Sequence, residues 1–224
     1  MVLQDIFDAL TYGELSQLAI GGAESGLGMC DDDKPKILNH IQLGLTSLYT
    51  RFRLKEANLT IPMVQATTTY EIDTIVYPDL LKVEDIFDDN DIELVLNERN
   101  NPCSLRTPIR NVLEIPELIL FDEAGNFLIK ELKVVYRANH PLMDPLSASY
   151  GAMNQAIELP QSHLQALLFF VGSRIMNPVG MTNEFHAGNS YYAKYEGECQ
   201  RLEMEGMEID NTGYSTRFEE RGFV

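Results

Sequence analysis

The feature that most constrains the fold is a change in the spacing of apolar residues along the chain. At both ends of the sequence apolar side chains recur every three or four residues, as on one face of a helix, and in between they alternate with polar ones, as in a half-buried strand. We therefore expect an α+β fold in which a helical bundle body, residues 1–57 and 158–206, carries an inserted antiparallel β module at 58–140. A return loop at 141–157 and an extended C-terminal arm at 207–224 complete the expected organisation.

The helical spacing is strongest over residues 159–202, where the sequence predicts two helices with a short break. Pro160 fits a first helical turn, because its missing N–H would have no partner there. Asn177-Pro178 is expected to stop the first helix, since proline disfavours the helical conformation of the residue before it. Gly206 is expected to end the second helix. The predicted buried stripes are Leu164, Leu167, Leu168, Val171 and Ile175 in the first helix and Tyr192, Tyr195, Cys199 and Leu202 in the second.

Further helices are predicted before the β module. Residues 1–20 indicate two short helical pieces, the second capped by Thr11 with Glu14 reaching back to it. A long helix is expected from Pro35 to about Glu56. The predicted apolar faces are Leu3, Ile6, Phe7 and Leu10 in the first piece and Ile37, Ile41, Leu45, Leu48 and Phe52 in the long helix, widened there by Leu38, Leu43 and Tyr49.

The β module is expected to consist of short strands joined by turns, because β-branched and aromatic residues cluster there between turn-forming residues. Residues 92–96 fit either a short strand or a helical turn, and residues 97–111, which contain two prolines, are expected to form a loop. A turn at 88–91 and a hairpin connection at 122–126 are predicted from their Asp, Asn and Gly residues. The predicted strands are 67–72, 81–87, 118–121 and 127–136; within the last, Lys130-Glu131-Leu132 also fits a helix.

The charge balance limits the kinds of partner. The chain has a formal net charge of −17, with 17 Lys and Arg against 34 Asp and Glu. It therefore lacks a surplus of cations to neutralise nucleic-acid phosphates, and specific DNA binding is not expected. No apolar run reaches the roughly 18 residues of a membrane span, so no membrane partner is expected. Three widely spaced cysteines and the lack of a signal peptide predict reduced thiols in a cytosolic setting.

The sequence shows no catalytic signature: no phosphate-binding loop, no nucleophile elbow and no zinc-ligand spacing. The best acid–histidine candidates are His163 and the pair Glu184 and His186, but residues two apart do not face each other on a helix. Residues 31–33, three aspartates, are interpreted as a solvated acidic loop that ends in a helix cap rather than as a metal site. No catalytic residue, cofactor or metal is therefore expected.

Four segments stand out by their order and spacing: ILNHIQLGLTSLYTRFRLKE (37–56), LPQSHLQALLFFVGSRIMNP (159–178), EFHAGNSYYAKYEGECQRLE (184–203) and the ending TRFEERGFV (216–224). Together they resemble the head-to-tail connector adaptors of tailed bacteriophages, of the short-tailed and related kinds. With the β segments between them, the resemblance covers most of the chain. The loop at 21–33 and the exact strands of the β module contribute nothing to it.

The resemblance implies a structural virion protein without catalysis. Such adaptors form a homo-oligomeric ring, usually twelvefold, beneath the portal of the DNA-filled head, link it to the tail or nozzle protein and extend the DNA channel. Assembly in the host cytoplasm would place the protein in the neck of the virion. The family's C-terminal arm inserts among portal subunits, and in this chain the implied portal-binding residues of that arm are Arg217, Phe218, Arg221, Gly222, Phe223 and Val224.

Other classes of protein stay open at this point. One is another tail or tail-completion protein of a phage. A second is a cytosolic enzyme with an unrecognised carboxylate site, because Asp and Glu are abundant in the chain. A third is a cytosolic regulatory binding module. Ring formation by the purified protein favours the adaptor over all three.

Overall fold

The computed structural model describes residues 1–14, 34–64, 67–120, 129–143, 154–176 and 182–206. The chain divides into two compact units, which we name the helical unit (Met1–Arg53 with Leu142–Val224) and the β unit (Leu54–Pro141). Helices and antiparallel sheets are both present, so the fold is α+β, as the sequence predicts.

The described helices and strands have the following bounds. Within its described residues the β unit holds one short helix in addition to its strands. In chain order the helices are α1 (Leu3–Ala9), α2 (Lys34–Arg51), α3 (Glu117–Leu120), α4 (Leu164–Ile175) and α5 (Thr182–Met204). The strands are β1 (Glu56–Pro62), β2 (Thr69–Glu71), β3 (Leu80–Phe87), β4 (Arg106–Ile109), β5 (Val112–Glu114) and β6 (Glu131–Ala138).

The core of the helical unit forms where α4 packs against α2, α5 and α1. The predicted faces of α1 and α2 are buried from Leu3 to Leu10 and from Ile37 to Phe52, except for Leu43, which is exposed. On α4 the middle of the predicted stripe is buried, whereas Leu164 and Ile175 at its ends are only half-buried. Helix spacing in the sequence therefore identifies most of this core, because burial follows the turn of the helix.

The start of the chain differs from expectation at Thr11. A π-helical turn over Leu10–Glu14 follows α1 directly, so the backbone is already helical where a cap was predicted. Gly13 breaks this turn with φ −103° and ψ −107°. A capping hydrogen bond of the kind predicted for Glu14 is found at the start of α1 instead. There the backbone N–H of Val2 donates to Asp5 Oδ2 over 2.8 Å.

The long helix α2 ends at Arg51 and not near Glu56. Phe52 still donates its N–H to the carbonyl of Leu48, and the chain then becomes extended. Glu56 already pairs with Arg137 in a sheet. Strand pairing with a segment some 80 residues away overrides the helical tendency of residues 53–56, and the two units meet in sequence between Arg53 and Leu54.

The ends of α4 and α5 are set by local backbone geometry. Pro160 does not lie in the first turn of α4; it precedes a 3₁₀ turn at Gln161–His163, with its own backbone extended at ψ 142°. Helix α4 ends at Ile175, and the predicted stop at 177–178 lies outside the described residues. Gly206 adopts φ +67° just after α5, which confirms the predicted stop.

The main sheet of the β unit has the antiparallel strand order β1-β6-β3. Strand β6 lies in the centre, where its apolar residues join the buried cluster of the unit. Arg137 of β6 is also buried, and its Nε lies 2.7 Å from Glu84 Oε1 of β3. The contact is an ion pair by distance, although its angle falls outside that of a hydrogen bond.

Residues 88–96 cover the outer edge of β3. Asp88 Oδ1 accepts hydrogen bonds from the N–H groups of Asn90 and Ile92, which confirms the predicted turn. Asp91 adopts φ +61°, a left-handed angle that Asp tolerates better than most residues. Beyond it Leu94 donates to the carbonyl of Ile86, so residues 92–96 return alongside the strand rather than forming a helical turn.

A second antiparallel sheet has the order β2-β5-β4. Two predictions are wrong here. Strand β4 lies inside the expected loop at 97–111, and Pro108 is compatible with it because β4 is an edge strand, where a missing N–H disturbs no ladder. The strand expected at 118–121 begins instead as the short helix α3, whose turn closes from the N–H of Ile119 to the carbonyl of Pro116.

Several predictions fall outside the described residues. These include the loop at 21–33, the hairpin connection at 122–126, most of the return loop and the whole arm at 207–224. In the part of the chain that the structure describes, no helix combines the length and the apolar character needed to cross a bilayer.

Candidate interaction groove on the helical unit

A groove of about 390 Å³ lies on the surface of the helical unit, where α2, α4 and α5 meet. We name it the aromatic groove. One wall carries phenyl and phenol rings, the rim carries an exposed leucine, and arginines occupy two positions. The residues that define it are Leu43, Arg51, Phe170, Arg174, Tyr192 and Glu196.

Glycine sets the distance between α2 and α4 beside this groove. A Cβ atom built on Gly44 would lie 2.6 Å from Leu167 Cδ1 and 3.0 Å from Phe170 Cδ1, both of buried residues. No side chain larger than hydrogen fits there without moving the core. Gly44 thus brings Phe170 close to α2.

A buried tyrosine joins α5 to α2 at the base of the groove. The hydroxyl groups of Tyr195 and Ser47 lie 2.8 Å apart, and the ring of Tyr195 meets that of Phe170 edge to face at 5.3 Å. Burial raises the pKa of the Tyr195 phenol to about 12, so this hydroxyl stays protonated at neutral pH and can take part in the hydrogen bond. These contacts fix the aromatic wall.

Arg51 closes one end of the groove with two ion pairs. Its Nη1 donates to Glu196 at 2.7 Å and its Nε to Glu203 at 2.5 Å. The hydrogen bond to Glu203 is the largest cause that raises the pKa of Arg51, and it lowers the pKa of Glu203 in turn. All three side chains are about one quarter to one third exposed. The charge of Arg51 is therefore already shared between two carboxylates.

Arg174, unlike Arg51, contacts an aromatic ring in the groove. Its guanidinium lies 5.2 Å from the centre of the Phe170 ring, a cation–π contact. Among the residues that the structure describes, no carboxylate lies within ion-pair distance of Arg174. Its charge reaches His40 on α2, whose pKa is lowered first by burial and then by Arg174. Arg174 therefore gives the groove an exposed positive charge.

Two residues on the rim correct the predicted burial pattern. Leu43 was expected to widen the buried face of α2 but is 55% exposed, and Tyr192 was expected on the buried stripe of α5 but is 47% exposed. A hydrogen bond to Glu196 is the largest cause that raises the pKa of Tyr192. Tyr195, Cys199 and Leu202 of the same stripe are buried as predicted.

The residues of the aromatic groove are suited to binding a partner rather than to nucleophilic catalysis. Aromatic rings and an aliphatic rim favour an apolar side chain, and an exposed guanidinium favours a carboxylate beside it. Tyr195 and Cys199, the neighbouring ionisable residues of α5, have pKa values raised by burial to about 12 and about 11, which opposes the thiolate or phenolate needed of a nucleophile at neutral pH.

His163, a candidate from the sequence, does not line the aromatic groove. His163 is buried against Phe52 with ring centres 4.7 Å apart, Ser162 Oγ lies 3.1 Å from its Nδ1, and burial lowers its pKa. The side chains of Glu184 and His186 lie outside the described part of the chain, as do residues 31–33. Within the described ranges no group of three or more His, Cys, Asp and Glu side chains is placed to hold a metal ion.

The six residues expected to bind the portal, in the arm at 207–224, also lie outside the described residues. The aromatic groove was not predicted from the sequence. One signal for it exists: Arg174 follows Phe170 by four residues, the spacing that places a cation over an aromatic ring on a helix. Nothing local to the sequence places Leu43 of α2 beside these two residues.

No family model matches the chain, and no curated protein matches it.

Proposed function

We propose that this protein is a structural component of a tailed-bacteriophage virion, a head-to-tail adaptor that forms a ring beneath the portal, joins head to tail and extends the DNA channel. One observation carries the proposal. Three of the four segments with the family resemblance cover all of α4 and most of α2 and α5, and these helices pack together around one core and border the aromatic groove. Segments scattered over about 170 residues thus contribute to a single folded body, as expected when their order and spacing have structural meaning.

The negative charge of the chain is compatible with a channel through which DNA passes without binding to the wall. A ring of twelve copies would carry roughly −200 charges, which repel a passing duplex and oppose adhesion to it. We expect negligible binding of duplex DNA near physiological salt in a gel-shift assay. Binding at micromolar concentration under these conditions would contradict a channel of this kind.

The proposed portal contact is the arm at 207–224. Phe218 and Phe223 are large apolar side chains suited to clefts between portal subunits, and Arg217 and Arg221 can pair with acidic portal side chains. Gly222 and Val224 complete the ending that resembles the family. Twelve such arms would convert a modest contact into a durable joint, because each further contact is made within one complex.

Electron microscopy and co-sedimentation test the proposal together. The purified protein is imaged alone and mixed with purified portal rings, and portal-bound protein is then quantified for the full chain and for a variant that lacks residues 215–224. We expect the full chain to form a ring on the portal and the truncated chain to lose co-sedimentation while its melting temperature stays nearly unchanged. A matched control is Tyr12→Ala, an exposed aromatic residue of the helical unit, which should co-sediment normally.

Each alternative predicts a different result. If the full chain does not bind the portal but binds an isolated tail component, the protein is another tail or tail-completion protein. If it stays monomeric with both, the adaptor proposal is wrong. If the truncated chain binds as well as the full chain, the adaptor keeps its place but the arm is not the joint.

A further inference from the structure

The β unit exposes an apolar turn that its own core does not use. Between β2 and β3, residues 73–76 form a turn in which Ile75 is 89% exposed and Val76 is 63% exposed. Two adjacent branched aliphatic side chains this exposed offer apolar surface, and covering that surface with a partner is favourable in water. We name residues 73–76 the apolar turn.

Hydrogen bonds hold the apolar turn in one shape. Asp73 Oδ1 accepts from the N–H of Ile75 over 2.8 Å, and the N–H of Tyr77 donates to the carbonyl of Asp73 over 2.9 Å. The carboxylate of Asp73 is itself exposed. The turn therefore presents two aliphatic side chains and one negative charge together, already ordered for binding.

The aromatic groove has the complementary chemistry. Leu43 and Tyr192 expose apolar surface on its rim, Phe170 supplies a ring inside it, and Arg174 supplies a positive charge without a carboxylate partner among the described residues. The chain has a net charge of −17, so an exposed guanidinium beside apolar surface is a distinctive feature of it. Such a surface favours a partner that presents a negative charge next to apolar side chains.

We propose that the aromatic groove of one copy binds the apolar turn of a second copy. Ile75 and Val76 pack against the rim and the rings, and Asp73 pairs with Arg174. The inference rests on the proposed ring, because it names the surfaces that join neighbouring subunits in it. Since the two surfaces are different, each copy has one groove and one turn to offer, and such head-to-tail contacts form a ring when the rotation from copy to copy closes on itself.

Cysteine crosslinking between two separately tagged chains tests this contact. One chain carries Leu43→Cys and the other Ile75→Cys, each with a tag of different size, and the mixture is treated with a short bis-maleimide. Because the two cysteines belong to different chains, a product that contains both tags reports a contact between copies. Both chains also carry Cys30→Ser and Cys103→Ser; Cys199 stays, since it is buried and its pKa is raised to about 11.

The matched control pairs Leu43→Cys with Ile92→Cys, which is 60% exposed in the same unit and so reports random collision. We expect the Ile75 pair to give more than about fivefold the mixed product of the control pair, because docking raises the effective concentration of the two thiols. Equal yields from both pairs would overturn the proposal. Circular dichroism of each variant confirms that it is folded before yields are compared.

Removal of the two charges tests the polar half of the contact. Asp73→Asn keeps the acceptor that shapes the turn, and Arg174→Gln removes the cation; each should lower the mixed product about threefold, the size of a partly exposed ion pair. Lys194→Gln is the matched control, since Lys194 lies on α5 over the ring of Tyr191 and does not line the groove. A loss with Lys194→Gln equal to that with Arg174→Gln would show that net charge, not this pair, governs association.

Failure of this inference is distinguishable from failure of the proposed function. If the protein assembles on the portal but the crosslink does not exceed its control, the ring uses other surfaces. If the crosslink forms and the portal is not bound, the self-contact is real and the adaptor role is wrong.

Discussion

The helical unit and the β unit differ in how far their arginine–carboxylate pairs are exposed to water. In the helical unit Arg51 pairs with Glu196 and Glu203 at the border of the aromatic groove, and its side chain is 26% exposed. In the β unit Arg137 pairs with Glu84 inside the molecule, where the side chains are 8% and 9% exposed. The chemical groups are the same, but one set stays in contact with water and the other does not.

This difference decides what each pair contributes. Water already stabilises the charges of Arg51, so its ion pairs add little to stability, although they position Glu196 and the groove rim. Arg137 and Glu84 have lost most of their water, and each depends on the other for compensation. A charge pair in the first unit therefore shapes a surface, while the pair in the second unit constrains how the sheet can fold.

Breaking the buried pair should have the largest effect. Arg137→Met leaves the Glu84 carboxylate buried beside the exposed Lys82, whose Nζ lies 2.9 Å from it, and should lower the free energy of unfolding by about 3–5 kcal/mol. Arg51→Met should lower it by no more than about 1 kcal/mol. Urea unfolding of both variants gives the comparison, and equal losses would refute it. The double variant Arg137→Met with Glu84→Leu should recover part of the loss.

The two cores should be equally sensitive to cavities. Leu45 on α2 and Leu132 on β6 are both fully buried, so Leu45→Ala and Leu132→Ala should each lower the free energy of unfolding by about 2–5 kcal/mol. The control on the same helix is Leu43→Ala, which removes an exposed side chain and should cost little. Thermal melts in which Leu43→Ala matches Leu45→Ala would mean that the face of α2 is assigned wrongly.

The glycine at the crossing of α2 and α4 gives a smaller and more specific test. Gly44→Ala forces a methyl group against buried side chains and should destabilise by about 1–3 kcal/mol. Gly197→Ala on α5 meets no heavy atom within 4 Å and should stabilise by about 0.5–1 kcal/mol, because alanine loses less backbone entropy in a helix. Opposite signs in chemical denaturation are the expected result; stabilisation by both changes would contradict the close approach.

A pH dependence of the helical unit should be the smallest effect. Burial lowers the pKa of His163 below its ordinary value of 6.5, so the unfolded chain binds its proton more readily than the folded one. Its contribution is therefore constant above about pH 6.5 and lowers stability as the pH falls below that value. Between pH 5 and 7.5 the unfolding free energy should depend less steeply on pH in His163→Leu than in the unmodified protein. NMR titration should give a pKa below 6.5 for the imidazole of His163. An unchanged slope would mean that His163 is not responsible for the pH dependence of stability.

How much the sequence predicted can be judged from α5. The spacing of Tyr195, Cys199 and Leu202 identifies a buried stripe, because a helix repeats every 3.6 residues whatever it packs against. Tyr192 has the same spacing and is exposed. Tyr192 lines the groove that α5 forms with α2 and α4, and no local pattern encodes how these helices pack. The stop at Gly206 was predictable, since a left-handed residue after a helix is a local preference of glycine.

The β unit was predicted less well, for a related reason. Strand composition correctly marked β3 and the turn after it, but β4 was missed because Pro108 is unfavourable in most strands, and its tolerance depends on the edge position that only the assembled sheet defines. The early end of α2 likewise depends on pairing of β1 with β6. Strand pairing joins residues far apart in the chain, so neighbouring residues give little warning of it.

The sequence by itself determined the order of helices, β segments and helices, the apolar face of α1 and most of that of α2, and an acidic charge that disfavours adhesion to DNA. These follow from local spacing and from counting charges. Only the tertiary structure decided that Arg137 and Glu84 are buried together, and that Leu43 and Arg174 share one groove. Such contacts arise where elements more than 40 residues apart pack side by side, and their chemistry depends on the water that this packing removes or leaves.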